Sequence, residues 1–528
     1  MRKSLVPCVL LLAALAGNAH AMHLDRSGLG QVLVSPFYTV NGGNQTLITV
    51  ANRTDRGKAL KLRFLEGMNG REVFDFNLYL APHDLWTAAL FSQFDEGPAT
   101  LITADDSCTV PAIKTSTVLP QLPAGRRIAP FSNLQYTGAR DDAGPDDLLR
   151  TREGYFEVIE MGEVINAAQR SLNDISPGFD GLPANCPRIV SAWAPGGYWL
   201  LGSEMDITAP GGGLTATVSL VDAPDGTMYS FQLEAIDRFS SIVQHTAPGN
   251  PLPNLASGVS SQSLGLVEAV VEVDGALITA QYPLARAIDA VSALFMAESI
   301  NNEFVTSASV GGASSWVVTL PTKKFYADDA IVQGIALAPF TKTFSQSYLS
   351  APAPGSNTIF PPQPQPAQTL PEARGEAMHV EVRNRERGPF DFCADDPLNC
   401  FTWAARPPEG PVVVPSIHWA SNIFAFNSPS CSGPLSVPAA RLCQFVDGLS
   451  LGVADGWMNM RFYDPLGVDS MPNHLLRADI AGRRFAGLPV IGFWAASFTN
   501  GQVRPGVLSN YASLRRHKVA QRDVPVVP

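Results

Sequence analysis

Between Gln31 and Leu80 the chain alternates apolar and polar side chains in short runs separated by turn residues. Leu60, Leu62 and Phe64 alternate with Lys61 and Arg63, and Phe74, Phe76, Leu78 and Leu80 alternate with Asp75 and Asn77. Successive side chains of a strand point to opposite faces, so each run predicts a strand with one dry face and one wet face. Asn41-Gly42-Gly43-Asn44, Thr54-Asp55-Arg56-Gly57 and Met68-Asn69-Gly70 separate the runs, and their Asn-Gly and Gly-Gly pairs supply the positive φ that tight turns need. The stretch reads as an antiparallel meander covered on one side only. Its apolar face needs a second layer. With no strong amphipathic helix nearby, that layer is expected to be another sheet, making a β-sandwich.

The same pattern continues. Leu85–Phe91, Ala99–Ala104 and Tyr155–Val164 read as further strands, the last returning to complete a first sandwich over residues 22–165. Asn166–Leu172 suggests a short helix. A second β-rich region, within a domain spanning 166–528, is expected from near Arg188, with a hairpin through Ala223-Pro224-Asp225-Gly226. Leu284, Ile288, Val291 and Phe295 recur at helical spacing after Pro283, with Asn301-Asn302 as the expected end. Ser315–Leu320, Val380–Val382, Met458–Phe462 and Val490–Phe498 complete the strands. Ala351–Pro371 holds seven prolines, so residues at about 345–376 are either a linker or an insertion between paired strands. The expected class is mainly β: two antiparallel, immunoglobulin-like β-sandwich domains with few short helices.

At 528 residues the chain is too long for one ordinary core. Arg2 and Lys3, the apolar run Leu5–Ala16 and Ala19-His20-Ala21 form an export signal over residues 1–21. Its apolar run is shorter than the ~20 residues of a membrane span, and no later stretch is long and apolar enough. The expected location is the periplasm or the cell surface. Removing Arg2 and Lys3 takes Lys+Arg from 37 to 35 against 48 Asp+Glu, so the formal charge goes from −11 to −13. No basic face or aromatic-basic module points to nucleic acid. The six cysteines that remain after the leader read as disulfides in an exported chain. Proximity pairs Cys393 with Cys400 and Cys431 with Cys443, leaving Cys108 with Cys186. Their spacing is wider than the Cys-x₂₋₄-Cys of zinc sites.

Candidate chemistry is sparse. Gly448-Leu449-Ser450-Leu451-Gly452 matches the nucleophile-elbow pattern, with Asp469 and His474 following, but the residues after it read as strand where that motif needs a helix. The acidic loop Asp141–Asp147 could offer carboxylates to calcium without the spacing of an EF-hand, and Asp328-Asp329 is a weaker version of the same idea. The histidines are scattered, and His83, His379, His418 and His474 read as ordinary strand or loop residues. Glu157 and Glu160, three apart on a strand, face opposite ways. The eight tryptophans read first as core, with a sugar-binding face as the alternative. No catalytic residue, metal or cofactor is therefore assigned. Gly30-Gln31-Val32-Leu33, Asp75-Phe76-Asn77-Leu78, Gly154–Glu160, Trp316-Val317-Val318-Thr319 and Leu508-Ser509-Asn510-Tyr511 together resemble a family of uncharacterised exported bacterial proteins, spread over most of the mature chain. That resemblance carries no activity with it. The expected role is binding or surface structure toward an envelope or extracellular protein or a glycan, the alternative being a secreted hydrolase or lyase acting on polysaccharide or ester.

Overall fold

The computed structural model describes residues 21–113, 127–351, 358–359, 375–385, 415–437, 440–447, 453–463, 473–505 and 507–524. Residues 1–20 of the expected leader, most of the proline-rich stretch, Cys393, Cys400, Ser450 and Asp469 lie outside them. The fold is mainly β, with several antiparallel sheets and few helices.

The opening meander forms, and its strands divide between two sheets. An eight-stranded sheet runs in the order His23–Leu24, Glu234–Asp237, Val32–Thr39, Glu153–Val164, Gly57–Glu66, Glu72–Leu80, Cys108–Val110, with Ile207–Thr208 paired to the end of Glu153–Val164. A six-stranded sheet runs Thr227–Gln232, Leu214–Asp222, Asn44–Asn52, Leu85–Ser92, Ala99–Thr103, Arg127–Pro130. Alternation and register agree: Leu60 lies opposite Leu78, Leu62 opposite Phe76 and Phe64 opposite Phe74. Leu33, Phe37, Leu62, Phe76, Trp86 and Val218 belong to the core between these sheets. Strands from both sides of residue 165 share the pair of sheets.

The expected wet face is not wet. Lys61 is fully buried and Arg63 is 4 % exposed. Charges cannot be buried cheaply without partners, and here the partners come from distant chain. Lys61 Nζ donates to the carbonyls of Ala247, Asn250 and Leu252 and lies 3.6 Å from Asp75. Asn77 Nδ2 donates to Thr246 O, and Gly249 N–H donates to Asp75. Arg63 pairs with Glu72 at 2.8 Å and lies 3.6 Å from Glu157. The loop 246–252 thus forms a polar lid over a sheet face whose alternation alone reads as solvent-facing.

The later strands form a four-stranded sheet, His379–Asn384, Asp455–Arg461, Ser299–Val305, Lys518–Ala520, and a six-stranded one, Thr358–Ile359, Cys443–Val446, Ser421–Phe426, Gly312–Thr319, Ile491–Arg504, Val507–Arg516. Within the proline-rich stretch, Thr358–Ile359 pairs in parallel with Phe445–Val446. Side chains of the six-stranded sheet reach two cores. Trp316, Val318, Ile491 and Trp494 join one, while Val317, Phe493 and Ala495 join the core of the first sheet pair. Both faces are therefore dry, which is why these segments read as unbroken apolar runs.

The helix after Pro283 spans Ala287–Phe295 and is buried on every side. It stops six residues before Asn301-Asn302. Met296–Ala297 leaves it to pair with Pro489 and Leu488, and Asn301 and Asn302 belong to the Ser299–Val305 strand. Near Arg188 the expected strands are absent. Arg188 lies in the helix Cys186–Ala192, and long strands resume at Leu214. Among the described residues no helix is long and apolar enough to cross a membrane.

Candidate functional site

The clearest concave site is built where a helical excursion, residues 171–205, is stapled to the edge of the eight-stranded sheet. Asn185 caps the helix Cys186–Ala192 by accepting from Arg188 N–H, and Pro187 sits in its first turn, where a missing N–H costs nothing. The disulfide Cys108–Cys186 fixes the helix start to the edge strand, in which Cys108 lies opposite Tyr79. Asp206 closes the excursion by accepting N–H groups from Ala168, Gln169 and Ser171. Burial pushes the Asp206 carboxyl up, but those N–H groups together hold it below its ordinary value.

These anchors place Trp193, Tyr198 and Trp199 against Tyr79 and His245. Tyr79 stacks on Trp199 with centroids 5.1 Å apart and planes 10° from parallel, and His245 meets Trp199 edge-on at 4.7 Å. A hydrogen-bonded chain runs through the cluster. Trp193 Nε1–H donates to Tyr79 Oη at 2.8 Å, Tyr79 Oη–H donates to His245 Nε2 at 2.9 Å, and His245 Nδ1–H donates to Ser203 O at 2.6 Å. An indole N–H can only donate and a carbonyl can only accept, so Nδ1 carries a proton and, with the ring neutral, Nε2 is left to accept from Tyr79. The imidazole is neutral with its proton on Nδ1. Burial, with Lys61 adding to it, brings His245 down to about 4. Trp199 Nε1–H donates to Met205 O. The polar atoms of Trp193, Trp199, Tyr79 and His245 are therefore satisfied inside the protein, and the rings form a rigid wall.

An open cleft of about 740 Å³ lies against this wall. Half-buried Trp193 and exposed Leu200 and Leu201 give it apolar surface, and Ser203, Glu204 and Asn250 give it polar groups. Lys61 lies behind the lip, where it holds the 246–252 loop in place.

Two smaller hollows lie elsewhere. One, of about 220 Å³, is lined by Arg150, Arg152, Glu153, Arg441 and Leu442. Burial raises the Glu153 carboxyl to about 7 despite Asn41 and the Leu442 N–H. The other, of about 400 Å³, lies beside Glu303, Trp494 and Arg515.

The residues singled out from sequence are dispersed. Asp142 pairs with Arg150 at 2.6 Å and accepts from Asn69, while Asp147 pairs with Arg441 at 2.6 Å, so two of the four carboxylates of the acidic loop are taken by arginines. Asp328 pairs with Arg71 at 2.6 Å. Glu157 and Glu160 take separate cations, Arg63 and Lys58. His474 is buried, with Pro339 O and Ala377 O at its ring nitrogens, while Ser450 and Asp469 lie outside the described residues. His83 sits exposed in a turn with φ of 57°, His379 lies on an edge strand and His418 is buried. Cys108–Cys186 and Cys431–Cys443 are disulfides; Cys393 and Cys400 lie outside the described residues. Among the described residues Trp86, Trp199, Trp316, Trp419 and Trp494 are buried as core and Trp193 and Trp457 are partly exposed; Trp403 lies outside the described residues. The aromatic cleft was missed because its one local signal is the capping sequence Asn185-Cys186-Pro187. Comparison of the chain with protein-family models, curated proteins and solved structures returns no match.

Proposed function

We propose that this chain is an exported, non-enzymatic binding protein that works in the periplasm or at the cell surface, with the cleft beside Trp193 as its recognition site. The observation that carries the reading is the aromatic wall. Its hydrogen-bonding atoms are all engaged internally, and a disulfide-stapled excursion holds it open to solvent. A preformed wall loses little freedom when it takes up a ligand. His245 is locked between two internal partners, which suits a structural part better than a proton carrier. Two disulfides suit an oxidising compartment. The leader at residues 1–21, the resemblance to exported bacterial proteins and the description of the paired sheets as two immunoglobulin-like sandwiches belong to the same proposal.

The test uses the purified chain from Met22 onward, captured against outer-membrane and extracellular fractions beside a polysaccharide and ester turnover panel. The expected result is saturable capture of a defined component, lost in Trp193→Ala, with no turnover. Equal capture by Trp193→Ala would remove the cleft from the account. Turnover abolished by Glu204→Gln would replace binding with catalysis. N-terminal sequencing of the exported form is expected to begin at Met22, and an intact Met1 would overturn the export reading.

A further inference from the structure

Resting on the reading of the Trp193 cleft as a recognition site, we propose that its ligand is a neutral saccharide, stacked on the Trp193 indole and hydrogen-bonded by Ser203, Glu204 and Asn250. Four features select that class.

The first is what the ring offers. Its N–H is committed to Tyr79 at 2.8 Å, so Trp193 meets a ligand with carbon and π-surface. Part of that surface packs on His245 and Trp199, at centroid distances of 4.9 and 5.7 Å, and the half-buried remainder lines the cleft. A ring fixed in this way suits the C–H face of a pyranose, which is apolar and flat enough to stack. Leu200 and Leu201, 52 % and 79 % exposed, extend the apolar floor.

The second is the mixture of hydrogen-bonding groups. Glu204 accepts only, the Ser203 hydroxyl both donates and accepts, and Asn250 brings a carboxamide. Asn250 Oδ1 takes the Leu252 N–H at 2.9 Å, which leaves its Nδ2 donors as the part not committed to the loop. A sugar hydroxyl donates and accepts at once, so neighbouring hydroxyls can use a carboxylate and an amide together. A purely apolar ligand would leave those groups unanswered.

The third is charge behind the wall. Arg188 sits over the Tyr198 ring at 5.6 Å, and Lys61 holds the lip from behind. Arg188, itself paired with Asp174 at 2.6 Å, already takes the Tyr198 face, so Trp193 is left as a single open ring, short of the aromatic cage that holds an organic cation. The fourth is charge in front: Glu204 lines the cleft, and the chain from Met22 carries 35 Lys+Arg against 48 Asp+Glu, both of which oppose an acidic polysaccharide.

The experiment is calorimetric titration, with tryptophan emission read in parallel, of the purified full mature chain. The probes are neutral hexa-saccharides of glucan, mannan, galactan and chitin type, polygalacturonate, and tetramethylammonium. At least one neutral probe is expected to bind saturably. Trp193→Ala is expected to weaken it tenfold or more, and Glu204→Gln and Leu201→Ala about three- to tenfold each. The last two positions are exposed, so these variants keep the test alive if Trp193→Ala disturbs the fold. Binding of polygalacturonate or tetramethylammonium, lost in Trp193→Ala, with no neutral probe bound, would overturn the saccharide class and leave the cleft as a recognition site. Neutral-probe binding unchanged in all three variants would overturn both. If no probe binds while Trp193→Ala still abolishes capture from the envelope fractions, the saccharide class falls and the recognition site stands.

Discussion

Replacing Arg150 by Met is expected to cost the protein about 3 kcal/mol. The guanidinium is 1 % exposed and bridges two buried carboxylates. It bonds Glu66 at 2.9 and 3.1 Å and Asp142 at 2.8 and 2.6 Å, and lies 4.2 Å from the Tyr136 ring centroid. Removing one partner of a buried pair leaves an uncompensated charge and typically costs about 3–5 kcal/mol. The lower end applies here because Glu66 keeps three N–H donors, from Met68, Asn69 and Arg71, and Asp142 keeps Asn69 and the Gly144 N–H. The urea dependence of a chain this long exceeds the ~3 kcal/mol per molar of small proteins, so the unfolding midpoint falls by roughly 0.5–1 M. The assay is equilibrium urea unfolding followed by intrinsic fluorescence and near-ultraviolet circular dichroism, at pH 7.5 and at pH 4.5. The deficit is expected to shrink at pH 4.5, because burial pushes the Asp142 carboxyl up and Arg150 is the main group holding it below its ordinary value, so without Arg150 that carboxyl protonates more readily. Arg150→Lys, which keeps the charge and loses the fork, should fall between. A midpoint change under about 0.3 M, or one with no pH dependence, would refute the network as a source of stability.

Three further outcomes are expected. Burial brings His245 and His517 down to about 4 from 6.5. The unfolded chain then binds more protons between pH 6.5 and 4, and the stability these groups contribute, full above 6.5, is lost as pH falls through that window. Calorimetric melting of the Glu153→Gln variant, in which the opposing carboxyl is gone, should show it, and a flat midpoint from pH 7 to 4.5 there would contradict it. Glu153 works in the opposite sense: raised to about 7 from 4.5, its carboxyl favours the folded state when protonated and costs stability as pH rises from 4.5 to 7. Glu153→Gln should therefore raise the melting temperature at pH 8 and change it little at pH 4.5, and the acid loss of stability should be steeper in that variant; a lower midpoint at pH 8 would count against this. Cys108→Ser with Cys186→Ser opens a loop of sequence separation 78, for which chain entropy gives a loss of about 4–5 kcal/mol. The double variant should also lose any ligand bound through Trp193, and retained binding would show that the staple does not hold the cleft.

Local pattern was informative where a residue's environment repeats along its own strand. Leu60, Leu62 and Phe64 announce a strand, and they lie opposite Leu78, Phe76 and Phe74. Trp316-Val317-Val318 announces burial on both faces, and those side chains do go to two cores. Pattern failed where partners come from far away. Nothing near Lys61 or Arg63 reports the loop 246–252 that covers Lys61, or Lys324, which lies close enough to Arg63 for the two charges to repel. The site was hidden for the same reason. Tyr79 sits in an ordinary strand, and its hydrogen-bond partners Trp193 and His245 are 114 and 166 residues downstream. The helix that carries Trp193 to it is seven residues long, too short for periodicity to stand out.

The Val32–Thr39 strand faces two cores, with Leu33 and Phe37 in one and Val32 and Val34 in the other. The strands Gly312–Thr319 and Ile491–Arg504 pack against it, and Thr319 Oγ1–H donates to Pro36 O at 2.6 Å. That arrangement sets a schedule. A ribosome adding about 5–20 residues per second finishes the Ile491–Arg504 strand roughly half a minute to a minute and a half after the strand it must cover. Throughout that interval an apolar strand face stays open and prone to pair with the wrong neighbour. For a chain that is exported before it folds, the same order holds at the membrane: the first sheet pair stays incomplete until the far end of the chain has followed it across.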